Sequence, residues 1–204
     1  MRTRYKQWAV DYLDNNPNIV IDKLDLESEF FKHPISIEIG SGKGEFIYDL
    51  AKMNPEHHYL AVERNRTVAG MMAKRLNDDG VNNVLVCPLD IAKLFESIPD
   101  EFFDDIYLNF SDPWPKKKHA KRRLTFVTFL EQYYKLLKSG GHIYIKTDND
   151  GLYEFTLEEI EKTKFHLELK EFDYQFDETS DAMTGYERKF REMGQPIHRI
   201  ILKK

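Results

Sequence analysis

Residues 109–123 combine a carboxylate, a flat aromatic ring and dense positive charge in one short stretch, Asn-Phe-Ser-Asp-Pro-Trp-Pro-Lys-Lys-Lys-His-Ala-Lys-Arg-Arg. A proline restrains the backbone of the residue before it, so Asp112 and Trp114 are expected on a rigid, extended loop. An acid, an aromatic ring and a run of cations suit a site that holds a nucleobase and grips its phosphates. The alternative is a kinked surface loop with solvated lysines. The cations of this basic segment (residues 116–123) are Lys116, Lys117, Lys118, Lys121, Arg122 and Arg123.

Acidic residues recur at the ends of the predicted strands. In doubly wound sheets, ligands bind in the crevice at the carboxyl ends of the strands. A row of carboxylates there predicts a ligand rich in hydrogen-bond donors and positive charge. Any one of these acids could instead cap a helix or lie in a solvated loop. The five acids are Glu38, Glu63, Asp90, Asp112 and Asp148.

The glycine loop (residues 40–44, Gly-Ser-Gly-Lys-Gly) narrows the choice of ligand. A dinucleotide fingerprint would need glycine where Glu45 stands, and an acid there repels a pyrophosphate. A phosphate-binding P-loop would need Ser or Thr at the position of Gly44. The loop is therefore expected to approach a ligand closely without holding a phosphate.

Four residues around this loop predict the nucleoside that it binds. Gly40 and Gly42 allow the ligand to approach the backbone. Glu63, at the end of the second predicted strand, can accept from two ribose hydroxyls, and Asp90 can accept from an adenine amino group. Together these features predict S-adenosylmethionine as the ligand.

Hydrophobic periodicity supplies the elements that position these residues. Alternation of short strands with helices predicts an α/β fold with a mostly parallel sheet. The segment 177–194, between the last two strands, is long for a hairpin and is expected to be functional. The predicted strands are 35–39, 58–63, 83–90, 103–110, 142–147, 167–172 and 197–202, and the predicted helices are 45–53, 67–76, 91–98, 122–137 and 150–162.

The amino-acid composition limits the kinds of protein that this chain can be. Of the 204 residues, 41% are hydrophobic and 32% are charged. The sequence contains no run of about 18 apolar residues, so no transmembrane helix is predicted. Cys87 is the only cysteine, which excludes an internal disulfide, and no metal site is expected. The net charge of −5 argues against a uniformly basic nucleic-acid binder. A cytoplasmic protein is predicted, with no obligate protein partner, as a monomer or homodimer. We expect residues 1–34, with Arg2, Arg4 and Lys6, to form a basic arm and cover, and residues 35–204 to form one domain.

Taken together, five motifs resemble the bacterial tRNA (guanine-N7-)-methyltransferase family over nearly the whole chain. The resemblance implies a single-domain, Rossmann-like class I methyltransferase with a doubly wound, seven-stranded sheet and an antiparallel last strand. It implies methyl transfer from S-adenosylmethionine to N7 of a guanosine in the variable loop of tRNA. It places cofactor contacts at Glu38, Glu63, Asp90 and Asp112, and substrate contacts at Lys116, Asp148, Thr184, Tyr186 and Glu187. The motifs are residues 38–44, 61–63, 111–116, 146–148 and 184–187.

Guanine N7 has a lone pair and no proton, so the reaction needs orientation more than a base. We expect Asp112 to be the catalytic carboxylate, because the guanine ring gains positive charge during transfer, or to accept hydrogen bonds from the N1 and N2 donors of guanine. Thr184 and Glu187 also have capping-box spacing, and Asp148 could cap the following helix. An exocyclic-amine methyltransferase and a non-catalytic RNA-binding module remain alternatives.

Overall fold

The computed structural model describes residues 4–204, so Arg2 of the predicted arm lies outside the described residues. Short 3₁₀ helices occupy Glu29–Lys32, Ile91–Lys93 and Lys117–Arg122. The α-helices are α1 (Gln7–Asn15), α2 (Glu45–Met53), α3 (Arg66–Asp78), α4 (Val127–Leu136), α5 (Asp150–Ile160) and α6 (Gly185–Glu192). The strands are β1 (Ile35–Ile39), β2 (His58–Val62), β3 (Val84–Cys87), β4 (Phe103–Asn109), β5 (Leu137–Thr147), β6 (His166–Glu171) and β7 (His198–Lys203).

The seven strands form one sheet with the order β3-β2-β1-β4-β5-β7-β6. Strands β1, β2 and β3 pair in parallel, as do β4 and β5. Strand β7 runs antiparallel to both β5 and β6. The predicted mostly parallel sheet with an antiparallel last strand is therefore confirmed. None of the helices within residues 4–204 has the length and apolar composition needed to cross a membrane.

Residues 4–98 and Ser180–Thr184 form one compact unit. Every residue of β1 is buried, which agrees with the continuous apolar character of a central parallel strand. Helix α1 lies very close to α3, since a Cβ added at Gly70 would lie 1.9 Å from the Ala9 carbonyl oxygen. Arg66 of α3 also pairs with Asp14 at 2.6 Å. The division of the chain into an arm with a cover (1–34) and a domain (35–204) stays a prediction.

The remaining residues, Pro99–Thr179 and Gly185–Lys204, form a second unit. Here the predicted helix 122–137 is wrong at its start, because α4 begins at Val127. The Glu159 carboxylate of α5 accepts from the Val127 backbone N–H at 2.7 Å, which satisfies one of the four donors left open at a helix start. The basic segment therefore lies before the α-helix and outside its first turn.

The end of α4 also differs from the prediction. The predicted strand 142–147 is wrong at its start, because β5 begins at Leu137, directly after α4. Gly140 N–H donates to the Lys204 carbonyl oxygen at 3.3 Å, and Lys204 N–H donates to the Gly141 carbonyl oxygen at 3.0 Å. This pairing with the chain end extends β5 through the two glycines.

Candidate active site

The glycine loop turns back onto the end of β2. The backbone N–H groups of Gly40 and Ser41 both donate to the Val62 carbonyl oxygen, at 2.8 and 3.1 Å. Its three glycines have left-handed φ angles of 81°, 55° and 72° at Gly40, Gly42 and Gly44. Residues with a Cβ rarely adopt such angles, so the spacing of the glycines follows from the shape of the loop.

Glu63 lies against this loop. One oxygen of its carboxylate, Oε2, accepts from the Gly42 backbone N–H at 3.0 Å, and Oε1 accepts from the Asn65 N–H at 2.8 Å. A Cβ added at Gly42 would meet no atom within 4 Å, so the space above the loop is open. The structure thus brings two predicted cofactor residues together and leaves room for a ligand beside them.

Glu38 and Asp90 lie at the carboxyl ends of β1 and β3, the two parallel strands on either side of β2. Glu38 is the fourth residue of β1 and only 2% exposed, and the Ser41 hydroxyl donates to its backbone oxygen at 3.0 Å. Asp90 follows β3 and accepts from the Ala92 N–H at 3.0 Å, so it caps the 3₁₀ helix Ile91–Lys93. The predicted short helix 91–98 is wrong in length, because the 3₁₀ helix ends at Lys93.

The tryptophan loop (residues 111–115) follows β4 and is not extended as predicted. Trp114 has a φ of +41°, and Phe110, just before the loop, has a φ of +50°. Such angles are sparsely populated by bulky residues and are kept only where surrounding contacts enforce them. Arg123 supplies those contacts, since its Nε donates to the Pro113 oxygen at 2.9 Å and its Nη2 to the Trp114 oxygen at 3.1 Å. Asp112 is exposed on this loop.

The basic segment separates into two kinds of cation. The guanidinium of Arg122 lies 5.0 Å from the centre of the Trp114 ring, and His119 meets that ring edge-on at 5.7 Å. Arg123 instead lies over Phe155 at 4.1 Å and bonds the loop carbonyls. Sequence reasoning missed this structural role, because the partners are nine or ten residues away. The exposed cations are Lys116, Lys117, Lys118, Lys121 and Arg122.

A third group of predicted residues lies at the end of β5 and on α6. Asp148 is partly buried and follows β5, but Asn149 is the cap of α5, since its side chain accepts from the Leu152 N–H at 2.8 Å. Thr184 immediately precedes α6, which places Glu187 at the third helical residue, as the capping-box spacing predicts. Tyr186 is 57% exposed.

Glu187 is fully buried, in contrast to its neighbour Tyr186. Its carboxylate pairs with Lys146 of β5 at 3.3 Å and with Arg191 of α6 at 2.8 Å. Sequence reasoning assigned no role to Lys146 or Arg191. The four-residue spacing of Glu187 and Arg191 on one helix was the available signal for that half of the network.

Burial raises the pKa of two side chains, Cys87 and Asp105. Burial raises the pKa of the Cys87 thiol to about 12, which leaves it protonated and unsuited to act as a nucleophile near neutral pH. Burial also raises the pKa of Asp105, although hydrogen bonds from His142 oppose the shift. Within residues 4–204, no cluster of three or more His, Cys, Asp or Glu side chains could hold a metal.

Comparison with solved structures supports the fold. An antibiotic-related methyltransferase superposes with a TM-score of 0.66 at 16% identity, over 93% of this chain and 98% of that one. The 16S rRNA methyltransferase KamB gives a TM-score of 0.65 at 12% identity, over 90% of this chain and 94% of that one. At these identities the likeness establishes a shared methyltransferase fold only.

Comparison of sequences is more specific. Residues 32–200 match a family model described as a putative methyltransferase. The chain is 42% identical to a tRNA (guanine-N(7)-)-methyltransferase of Staphylococcus epidermidis, over 100% of this chain and 97% of that protein. It is 41% identical to the protein of the same name from Staphylococcus aureus strain JH9, over 100% of this chain and 98% of that protein. The chain therefore belongs to the bacterial tRNA (guanine-N7-)-methyltransferase family.

Proposed function

We propose that this protein transfers a methyl group from S-adenosylmethionine to N7 of a guanosine in the variable loop of tRNA. The observation that carries the proposal is the identity of 41–42%, across the full chain, to proteins named tRNA (guanine-N(7)-)-methyltransferase. The geometry of the strand ends supports it, because the glycine loop is held open beside the Glu63 carboxylate.

The glycine loop and the acids near it have the chemistry needed to bind S-adenosylmethionine. Glu63 lies where a ribose could approach the glycine loop, and its carboxylate oxygens accept hydrogen bonds from hydroxyl groups. The open space above Gly42 allows a ligand to approach the backbone. Glu38, Gly40 and Asp90 complete the proposed binding residues. When bound, S-adenosylmethionine supplies an electrophilic methyl group on a sulfonium.

Asp112 is the proposed catalytic residue, and it is also proposed to contact S-adenosylmethionine. Guanine N7 needs no deprotonation before it reacts, so the chain need not supply a general base. As N7 is methylated, the imidazole part of guanine becomes cationic. An adjacent carboxylate then stabilises the transition state more than the ground state. Asp112 lies exposed on a constrained loop next to Trp114, where it can reach a base displaced from its stack.

The exposed cations of the basic segment are proposed to bind the tRNA backbone. Lys116, Lys117, Lys118 and Lys121 stand together on one short 3₁₀ segment and its start, and Arg122 adds a cation beside the Trp114 ring. Such a cluster binds phosphates even in a chain whose net charge is −5. Asp148, Thr184 and Tyr186 are proposed to contact the substrate, and Glu187 stays a predicted contact. Arg123, first assigned to this group, is engaged with the tryptophan loop and is proposed to act mainly by holding it.

The test uses purified protein, methyl-labelled S-adenosylmethionine and an unmodified tRNA transcript, with the nucleosides of the product separated and identified. We expect 7-methylguanosine, and no label in a transcript whose variable-loop guanosine is replaced by adenosine. Label in an exocyclic methylamine would overturn the assignment in favour of amine methylation. Binding of both ligands without transfer would indicate an RNA-binding module.

A further inference from the structure

A fully buried histidine lies at the edge of the sheet where β4 and β5 end. His198 is the first residue of β7, and it stands opposite Thr147, the last residue of β5, in the antiparallel pairing of these strands. Its side chain has an exposed fraction of 0%. An apolar ring could fill this place without the cost of burying polar nitrogens, so packing alone does not explain a histidine here.

Each ring nitrogen of His198 faces an oxygen acceptor from a different part of the chain. Nδ1 lies against the carbonyl oxygen of Phe172, just after β6, and Nε2 lies 2.8 Å from Oδ1 of Asp150. A ring protonated on both nitrogens donates to both oxygens, whereas a neutral ring donates to one. The Phe172 and Tyr153 rings pack beside the imidazole, with centroids 4.3 and 4.8 Å from it. His198 therefore joins β7 to the end of β6 and to the first residue of α5.

Asp150 is the exposed partner in this contact, since its side chain has an exposed fraction of 72%. Ion pairs of exposed carboxylates contribute little to the stability of a protein. The contact can nevertheless fix where Asp150 points, because the imidazole of His198 is enclosed by the surrounding packing. We therefore expect the pair to affect the direction of the chain at this point more than the free energy of unfolding.

The turn between β5 and α5 contains Asp148, which is proposed to contact the substrate. At the start of the turn, Thr147 is paired in the sheet, and its hydroxyl oxygen accepts from the Asn149 N–H at 3.1 Å. At the end of the turn, Asp150 is bonded to His198, which lies 48 positions along the chain. Asp148 therefore lies between two anchored residues. Loss of the second anchor would release the end of the turn from β7.

We propose that His198 and Asp150 are positioning residues that hold the turn after β5, so that Asp148 meets the tRNA in a fixed direction. This inference rests on the proposed function for its substrate. Neither residue belongs to the motifs that carry the family resemblance, so the inference adds two residues to those that shape the proposed substrate site. Their bond acts through Asp148 and needs no contact of its own with the RNA.

The test removes each partner of the bond and then both. His198→Phe keeps a ring between Phe172 and Tyr153 but makes no side-chain hydrogen bond, and Asp150→Ala removes the other partner. We expect each variant to raise KM for tRNA about fivefold, the loss of one hydrogen bond, with kcat and the affinity for S-adenosylmethionine little changed. The double variant should be no worse than either single one, because both changes remove the same bond. Asp150→Asn keeps an oxygen acceptor and should restore a KM close to that of the wild type.

Two further variants separate positioning from a general loss of charge. Glu154→Ala is the matched control, because Glu154 is an exposed acid on the same helix, and it should leave KM unchanged. In an Asp148→Ala background, Asp150→Ala should add no further loss, because the group that it positions is gone. An undiminished further rise in KM in that background would overturn the positioning role. Asp150 is exposed, so its variants keep the test available if His198→Phe does not fold.

Hydrogen–deuterium exchange of the amides of residues 148–153 supplies a readout that does not depend on activity. Exchange should rise in Asp150→Ala, return toward the wild-type rate in Asp150→Asn and stay unchanged in Glu154→Ala. Unchanged exchange in Asp150→Ala would overturn the proposal, whatever the activity of that variant. Failure of the proposed function is distinguishable, because the wild type would then methylate no tRNA while the exchange pattern remained.

Discussion

The glycine loop and the tryptophan loop both follow parallel strands, but different forces hold them. In the glycine loop, backbone groups bond to the end of the next strand, and three glycines accept left-handed angles without steric cost. In the tryptophan loop, Trp114 has a positive φ angle, and the side chain of Arg123 bonds two loop carbonyls. The first loop is specified by local residue types, and the second depends on one guanidinium from farther along the chain.

This difference bears on what each loop is proposed to do. A backbone turn with an open space beside it suits a ligand that must approach the main chain closely. A loop whose carbonyls are bonded by a guanidinium, and whose Trp114 ring meets Arg122 and His119, instead fixes the direction of Asp112 and Trp114. Correct orientation of reacting groups lowers the activation barrier by on the order of 7–11 kcal/mol in well-oriented reactions. A rigid backbone should therefore contribute more to catalysis at the tryptophan loop, which carries the proposed catalytic residue, than at the glycine loop.

The largest expected effect is at Asp112. We expect Asp112→Ala to lower kcat by about 100-fold or more, because the developing charge on guanine loses its stabilising carboxylate. The affinity for S-adenosylmethionine should fall much less. Single-turnover methylation assays and calorimetric titration measure the two quantities. Full turnover in the folded variant would remove Asp112 from the proposed chemistry.

A smaller effect is expected at Arg123. Replacement by lysine keeps the charge but loses the fork that bonds the Pro113 and Trp114 oxygens. We expect kcat to fall about tenfold and unfolding free energy to fall by about 1–3 kcal/mol. Arg122→Lys is the control, since it also keeps its charge but makes no such bond to the loop among the contacts described for residues 4–204. Equal losses in both variants would contradict the distinction between the two arginines.

The glycine loop is tested by a matched pair of glycines. Gly42 and Gly80 have φ angles of 55° and 68°, and a Cβ added at either would meet no atom within 4 Å. Alanine at each should therefore cost a similar free energy of unfolding, about 1–2 kcal/mol. Only Gly42→Ala should weaken S-adenosylmethionine binding, because its methyl group enters the proposed ligand space. Thermal unfolding and calorimetry separate the two effects, and unchanged ligand affinity in Gly42→Ala would place the ligand elsewhere.

The smallest effects are expected at single exposed lysines. Replacing Lys117 or Lys118 by alanine should weaken tRNA binding modestly and reduce the slope of log affinity against log salt by about 1. Affinity for S-adenosylmethionine should not change. Binding titrations at several salt concentrations test this, with Lys162→Ala as a charge-matched control outside the basic segment. A slope that drops equally in the control would show that general charge, not this segment, guides the tRNA.

The local sequence pattern was sufficient to predict the strand and the helix on either side of the glycine loop. The predicted strand 35–39 and helix 45–53 have the same bounds as β1 and α2. A buried apolar strand, a glycine turn and an amphipathic helix each leave a periodic signal within a few residues. The start of α4 was misjudged because its N-terminal donor is satisfied by Glu159, which is 32 residues away in the chain. No local pattern contains that partner.

The sequence by itself determined the α/β fold, the family and the placement of five acids at strand ends, because these follow from periodicity and short motifs. Only the tertiary structure decided which charged side chains face solvent. It separated Arg123 from the exposed cations and enclosed Glu187 between Lys146 and Arg191. The physical reason is that the burial of a charge depends on partners brought together by folding, and a motif lists its residues without those partners.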